Sequence, residues 1–131
     1  MTKSVATVND KRPVNLDIGT IALPITAYTS ILHRVSGVFL VAGMAVLFWL
    51  LGTSLSGAEG FEQAKACLDS FWGKLAVWAV LVGLSYHAAA GVKHLIMDAG
   101  IGETMKGGET GAKLVFAVTA VMVLLTGLWV W

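Results

Sequence analysis

Charged residues are absent from three stretches of the chain, 35–58, 75–92 and 114–131, which run for 24, 18 and 18 residues and consist mainly of aliphatic, aromatic and small side chains. A helix needs about 20 predominantly apolar residues to cross the hydrocarbon core of a bilayer. The first stretch meets that length alone, and the other two meet it once Lys74 and Lys113 extend their amines toward the headgroups. No stretch alternates with a period of two, and each is too long and too rich in Leu and Ala for a barrel strand. The pattern predicts an all-α membrane protein with three transmembrane helices, forming a single membrane-anchor domain over 1–131.

The flanks of the three stretches set the expected bounds. Residues 1–24 read as a polar arm, in which the Arg12-Pro13 pair disfavours helix at Arg12. Pro24 suits a first helical turn, where its missing N–H costs nothing. Helix one is expected over 25–54, helix two over 71–97 and helix three over 112–131. The connection GTSLSGAEGFEQAKACLDS leaves room for a short surface helix over 59–69, with Glu62 and Lys65 at i, i+3 spacing. Gly100, Gly102, Gly107, Gly108 and Gly111 read as a flexible link. Trp129 and Trp131 sit where an interfacial aromatic belt belongs, with Trp49 and Trp72 at the same interface.

Composition agrees with a membrane location: 56% of residues are hydrophobic and 13% charged, too little polar surface for a soluble domain of this size. The net charge of +1 says little. Its distribution says more. Lys3, Lys11, Arg12, Arg34, Lys93, Lys106 and Lys113 fall on one side of the three spans, and Lys65 and Lys74 on the other. Positive charge marks the cytoplasmic side, so the N-terminus is expected in the cytoplasm and Trp131 in the periplasm. No cationic segment, apolar segment and small-residue cleavage site precede the first span, so no signal peptide is expected to be removed. Cys67 is the only cysteine, which excludes an internal disulfide or a cysteine-rich metal site and gives that residue a structural reading. P-loop, zincin and G-x-S-x-G patterns are missing, and the glycines at 100 and 102 follow no strand that could make them a phosphate-binding turn.

Candidate chemistry lies in the spans themselves. His33, His87 and His94 are the three histidines, and ionisable side chains in a span tend to face the bundle interior. Gly83, His87, Ala90, Gly91 and His94 share one helical face. Small residues around an imidazole make room for a large flat group, or for the close approach of a second helix. His87 is thus either hydrogen-bonded to a neighbouring helix or a haem ligand. A low-spin electron-transfer haem takes two axial ligands, and His94, at i+7 on the same helix, cannot oppose His87 across one iron. A second ligand from a partner subunit fits better. On helix one, Ser30 and Arg34 stand at i, i+4 with His33 between them. A serine and an arginine side by side are donors for a carbonyl or a carboxylate, although an arginine among lipid headgroups would have the same spacing.

Two long motifs carry a resemblance. The first, RPVNLDIGTIALPITAYTSILHRVS over 12–36, contains an Arg-Pro pair followed by Ser-x-x-His-Arg-x-Ser. The second, HAAAGVKHLIMD over 87–98, contains two histidines and a closing aspartate. With these motifs the chain resembles the cytochrome b large membrane-anchor subunit of succinate dehydrogenase, respiratory complex II, and the similarity extends through LLGTSLSGAEGFEQA. Lys93 stands where that family usually carries arginine, which keeps the charge and loses the fork geometry. The resemblance implies a bundle shared with a small membrane-anchor subunit. It also implies His87 as an axial ligand of haem b, opposed by a histidine of that small subunit. Ser30 and Arg34 would form part of a ubiquinone site, with His33, Arg34 and His94 near the haem propionates. Further implied partners are an iron–sulfur subunit and a flavoprotein subunit, which would oxidise succinate, since this chain offers nothing to bind a flavin or a dicarboxylate. The implied location is the bacterial inner membrane, with the lipid bilayer as a further partner and no nucleic acid. Two other readings stay open: the anchor of a fumarate reductase, and a cofactor-free membrane interaction protein whose histidines serve helix packing.

Overall fold

A computed structural model describes residues 20–131, so the Arg12-Pro13 segment of the polar arm lies outside the described residues. Four helices follow in order: α1 Ile25–Leu55, α2 Ala58–Asp69, α3 Phe71–Asp98 and α4 Met105–Val130. Among the described residues there is no strand. α1, α3 and α4, with 31, 28 and 26 residues, are each long and apolar enough to cross a membrane. At 1.5 Å per residue even the shortest extends about 39 Å, beyond the ~30 Å hydrocarbon core.

α1 begins directly after Pro24, whose carbonyl accepts from the N–H of Ala27 at 2.9 Å. The short α2 lies between the first two spans. Gly57, with φ 136°, sits in a backbone region that favours glycine and lets the chain leave α1 and enter α2 after two residues. Ser70 then separates α2 from α3 in extended conformation, and its hydroxyl accepts from the Gly73 N–H at 3.0 Å as an N-cap. α4 begins at Met105, ahead of the expected 112. Thr104 caps it, accepting from Gly107 N–H at 3.1 Å. The segment that read as a loose link is therefore partly helix. Gly107 lies against Gly102, and Gly108 is among the buried residues of α4. These glycines let the first turns of α4 approach other backbone closely.

The packing is inverted relative to a soluble protein. Thr29, Ser36 and Gly43 are the buried residues of α1, spaced two turns apart; Gly108, Ala112 and Val115 are those of α4. Large apolar side chains point outward, among them Val38 at 75% exposure and Leu128 at 83%. Lipid tails are as apolar as leucine, so helices here gain little by hiding leucine and pack instead through small residues that bring backbones together. Thr29 Oγ1 donates to Ile25 O at 2.9 Å and Ser85 Oγ to Leu81 O at 2.7 Å, each within its own helix, so these two need no water. Thr119 Oγ1 on α4 is buried without a partner among the described residues.

α3 is the central span, in contact with both α1 and α4. Its N-terminal end meets the C-terminal end of α4 through Phe71 and Trp131, with ring centroids 5.4 Å apart, and Lys74 lies 6.0 Å from the Trp131 ring. An amphipathic aromatic cluster of that kind suits a membrane–water boundary. Lower along α3, Trp78 Nε1 donates to Val123 O at 3.4 Å.

The α1–α3 contact is stringent at two glycines, Gly83, where a Cβ would come 2.8 Å from Phe39 Cδ1, and Gly43. A Cβ on Gly43 would stand 2.9 Å from Val80 Cγ2, and valine has little rotamer freedom with which to retreat. Gly43→Leu should lower stability by about 1–3 kcal/mol through overpacking, despite leucine's better helix propensity. The measurement is the unfolding midpoint of the purified protein in detergent, which should fall.

Candidate functional site

The three histidines meet at the α1–α3 interface. The His33 and His87 rings stack with centroids 4.2 Å apart and planes 17° from parallel. The His94 ring lies 5.2 Å from that of His33, tilted by 47°. His33 thus stands between the two histidines of α3, and all three are half-buried. Glycines on both sides permit this approach. A Cβ on Gly37 would come 3.2 Å from His87 Cε1, and one on Gly91 would come 3.4 Å from His33 Nε2.

Hydrogen bonding defines the state of the His87 ring. Its Nδ1 lies 3.1 Å from the carbonyl oxygen of His33 and 3.1 Å from Ser36 Oγ. A carbonyl can only accept, so Nδ1 carries the proton. The Ser36 hydroxyl donates to the same carbonyl at 2.8 Å, which leaves its lone pairs to accept from Nδ1. A neutral ring with Nδ1 protonated keeps its lone pair on Nε2, the form that ligates a metal. The carbonyl is available because Ser36 and His33 are one turn apart on α1, so the hydroxyl, the carbonyl and the His33 ring all face α3.

His33 Nε2 is different: it is buried and, among the described residues, has no hydrogen-bond partner. Such an atom in an apolar span is costly unless a group beyond the described residues engages it. Among the described residues, no three His, Cys, Asp or Glu side chains are grouped to hold a metal ion.

Ser30 and Arg34 share α1 with His33 but do not join this cluster. Ser30 is half-buried and Arg34 is exposed. Between them and the histidines no hydrogen bond forms. The neighbouring Thr29 is fully buried, and its carbonyl accepts from Tyr86 Oη at 2.9 Å, a second polar bond tying α1 to α3.

Sequence reasoning singled out the histidines and passed over three supporting residues. Ser36 and Gly37 follow His33 by three and four positions, so helical periodicity alone could have placed them on the same face. Tyr86, beside His87, carried no spacing signal. Its role depends on the distance between two helices.

Comparison with known proteins adds the family. The model described as succinate dehydrogenase/fumarate reductase transmembrane subunit matches residues 8–126. The succinate dehydrogenase cytochrome b556 subunit of Coxiella burnetii is 40% identical over 95% of this chain and 100% of its own length. The b556 subunit of Paracoccus denitrificans is 31% identical over 88% of each chain. A mitochondrial succinate dehydrogenase cytochrome b560 subunit from Dictyostelium discoideum is 30% identical over 85% of this chain and 58% of its own. With three spans and that coverage, the chain belongs to the succinate dehydrogenase/fumarate reductase transmembrane subunits, as a multi-pass cytochrome b anchor of the succinate dehydrogenase kind.

Proposed function

We propose that this chain binds haem b through His87 and contributes Ser30 and Arg34 to a site where ubiquinone is reduced with electrons from succinate. The observation that carries the haem reading is the His87 ring itself, held by the His33 carbonyl and Ser36 with Nδ1 protonated and Nε2 left to donate. The orphaned His33 Nε2 and the glycines flanking both rings fit the same group. Bound there, the haem would supply a one-electron redox centre. A second ligand to that haem would come from the small membrane-anchor subunit, in a helix bundle that the two subunits would share. His33, Arg34 and His94 would face its propionates, where their donors offset negative charge.

The chain's own part in quinone reduction is to bind and orient. Ser30 donates to one quinone carbonyl, and Arg34 holds a fixed positive charge where the oxygen gains electron density. In a low-dielectric setting that charge stabilises the reduced oxygen far more than it would in water. Two protons complete the quinol from the cytoplasmic side of the bacterial inner membrane, the side to which the N-terminus and the lysine-rich segments are assigned. Succinate oxidation belongs to the flavoprotein subunit, and the iron–sulfur subunit hands electrons to the quinone. The names of the relatives favour a dehydrogenase over a fumarate reductase anchor.

Arg34→Leu should reduce succinate:quinone reductase activity roughly ten- to a hundredfold, the loss of one hydrogen bond to a charged group. Succinate oxidation with a soluble dye should stay near wild type; unchanged quinone reduction would refute the assignment. In dithionite-reduced membranes, His87→Ala should abolish or shift the b-type absorption band, and an unaltered spectrum would remove His87 from the iron. Ser36→Ala should keep that band and raise the haem midpoint potential, because a ligand that loses an acceptor at Nδ1 is a weaker donor to ferric iron. Potentiometric titration of the assembled complex reads that shift.

A further inference from the structure

Lys93 is a buried lysine without a counter-ion among the described residues. Its relative exposure is 9%, within an otherwise apolar and small-residue contact between the end of α3 and the start of α4. Its methylene stem lies along Gly111, where a Cβ would come 3.3 Å from Cε and 3.5 Å from Cγ. Among the described residues it has no hydrogen bond or ion pair. Asp98, Glu103 and Glu109, the acidic residues at this end of the two helices, are all exposed.

Lys93 lines a cavity of about 330 Å³. Ile101 and Gly102, in the turn between the helices, border one end; Leu114 and Val118 continue it along α4 toward the middle of the span. The site is separate from the histidine cluster. Residues 87 and 93 stand about 120° apart around α3 by the 3.6-residue repeat, and Lys93 faces α4 while His87 faces α1.

The cavity's shape and chemistry select among occupants. A partner helix laid over these aliphatic walls would leave the amine unpaired unless it also brought a carboxylate to it. A neutral ligand would leave the amine unpaired, which is costly in a low-dielectric place. A small polar anion would leave the apolar walls empty. One amine beside aliphatic walls suits a molecule with one anionic head and an aliphatic tail, close to the membrane surface: Lys93 lies five residues from the end of α3.

We infer that the α3–α4 cavity is a site for an anionic phospholipid, with its phosphate on the Lys93 amine and an acyl chain along Val92, Leu114 and Val118. The site is independent of the haem and quinone reading, and its test reads lipid alone. The protein is extracted with its accompanying subunits, delipidated in mild detergent, and equilibrated with equimolar phosphatidylglycerol and phosphatidylcholine. Retained lipid is counted by mass spectrometry. The wild type should retain phosphatidylglycerol selectively; Lys93→Gln should lower that retention about fivefold or more, and Lys93→Arg should restore it. Val118→Trp, which fills the apolar end and leaves the charge, should also lower it, and Lys106→Gln on the exposed surface should not. Millimolar inorganic phosphate should fail to displace the lipid, since it lacks the tail. In the wild type alone, phosphatidylglycerol with a photoreactive acyl chain should label peptides of α3 and α4 around Val92 and Val118. Equal retention by wild type and Lys93→Gln, equal uptake of the two lipids, labelling only elsewhere, or displacement by phosphate would each overturn the site. Loss of a partner subunit in Lys93→Gln with lipid retention unchanged would overturn it too, and would identify a protein carboxylate as the counter-ion.

Discussion

The bond from His87 Nδ1 to the carbonyl of His33 sets the distance between α1 and α3, and much of the molecule follows from that distance. A backbone carbonyl inside a helix is already engaged with the N–H four residues on, and a side chain from another helix reaches it only when the two backbones are close. Thr29, Ser36 and Gly43 on α1, with Gly83, Ala90 and Gly91 on α3, are what permits the approach. Tyr86 repeats the arrangement one turn away, donating to the carbonyl of Thr29. In lipid these bonds have no competition from water. Two helices with few large side chains between them thus become a defined pair.

That pair also explains why the apolar bulk of the chain lies outside. A soluble protein would place Val38, Phe48 and Leu128 in its interior, whereas here all three are exposed and the interior belongs to hydroxyls, imidazoles and glycines. Hydrophobic burial does not hold α1 to α3; close packing and polar bonds do. The arrangement makes the interface intolerant of added volume, and it leaves large apolar faces for lipid and for other subunits.

The spans could be read directly from the charge-free stretches, because the length of a bilayer crossing is a hard constraint on composition. The start of α4 could not. Gly107, Gly108 and Gly111 have the composition of a linker, and only the proximity of Gly102, Thr26 and the Lys93 stem shows that they are packing surfaces. The histidine face of α3 was legible from a 3.6-residue period. The stacking of His33 on His87 was not, since it depends on the relative rotation of two helices that sequence treats separately. For the same reason the sequence does not show that the Ser36 hydroxyl lies 3.1 Å from His87.

Helical phase gives α1 two separate tasks. His33 and Ser36 turn toward α3 and engage His87, whereas Arg34, one residue and about 100° away from His33, is exposed and bonded to none of them. In the proposed function residues 30–36 of α1 therefore serve both groups, His33 and Ser36 toward His87, Ser30 toward the quinone, and Arg34 between the quinone and the haem propionates. Among the described residues nothing covers Arg34, and a quinone headgroup bound in the open would meet water and headgroups that weaken every electrostatic contact. In the proposed function the surface that encloses it is supplied from beyond the described residues, as is the group that engages the His33 nitrogen, so both halves of the proposed site need more than the helices that supply their key side chains.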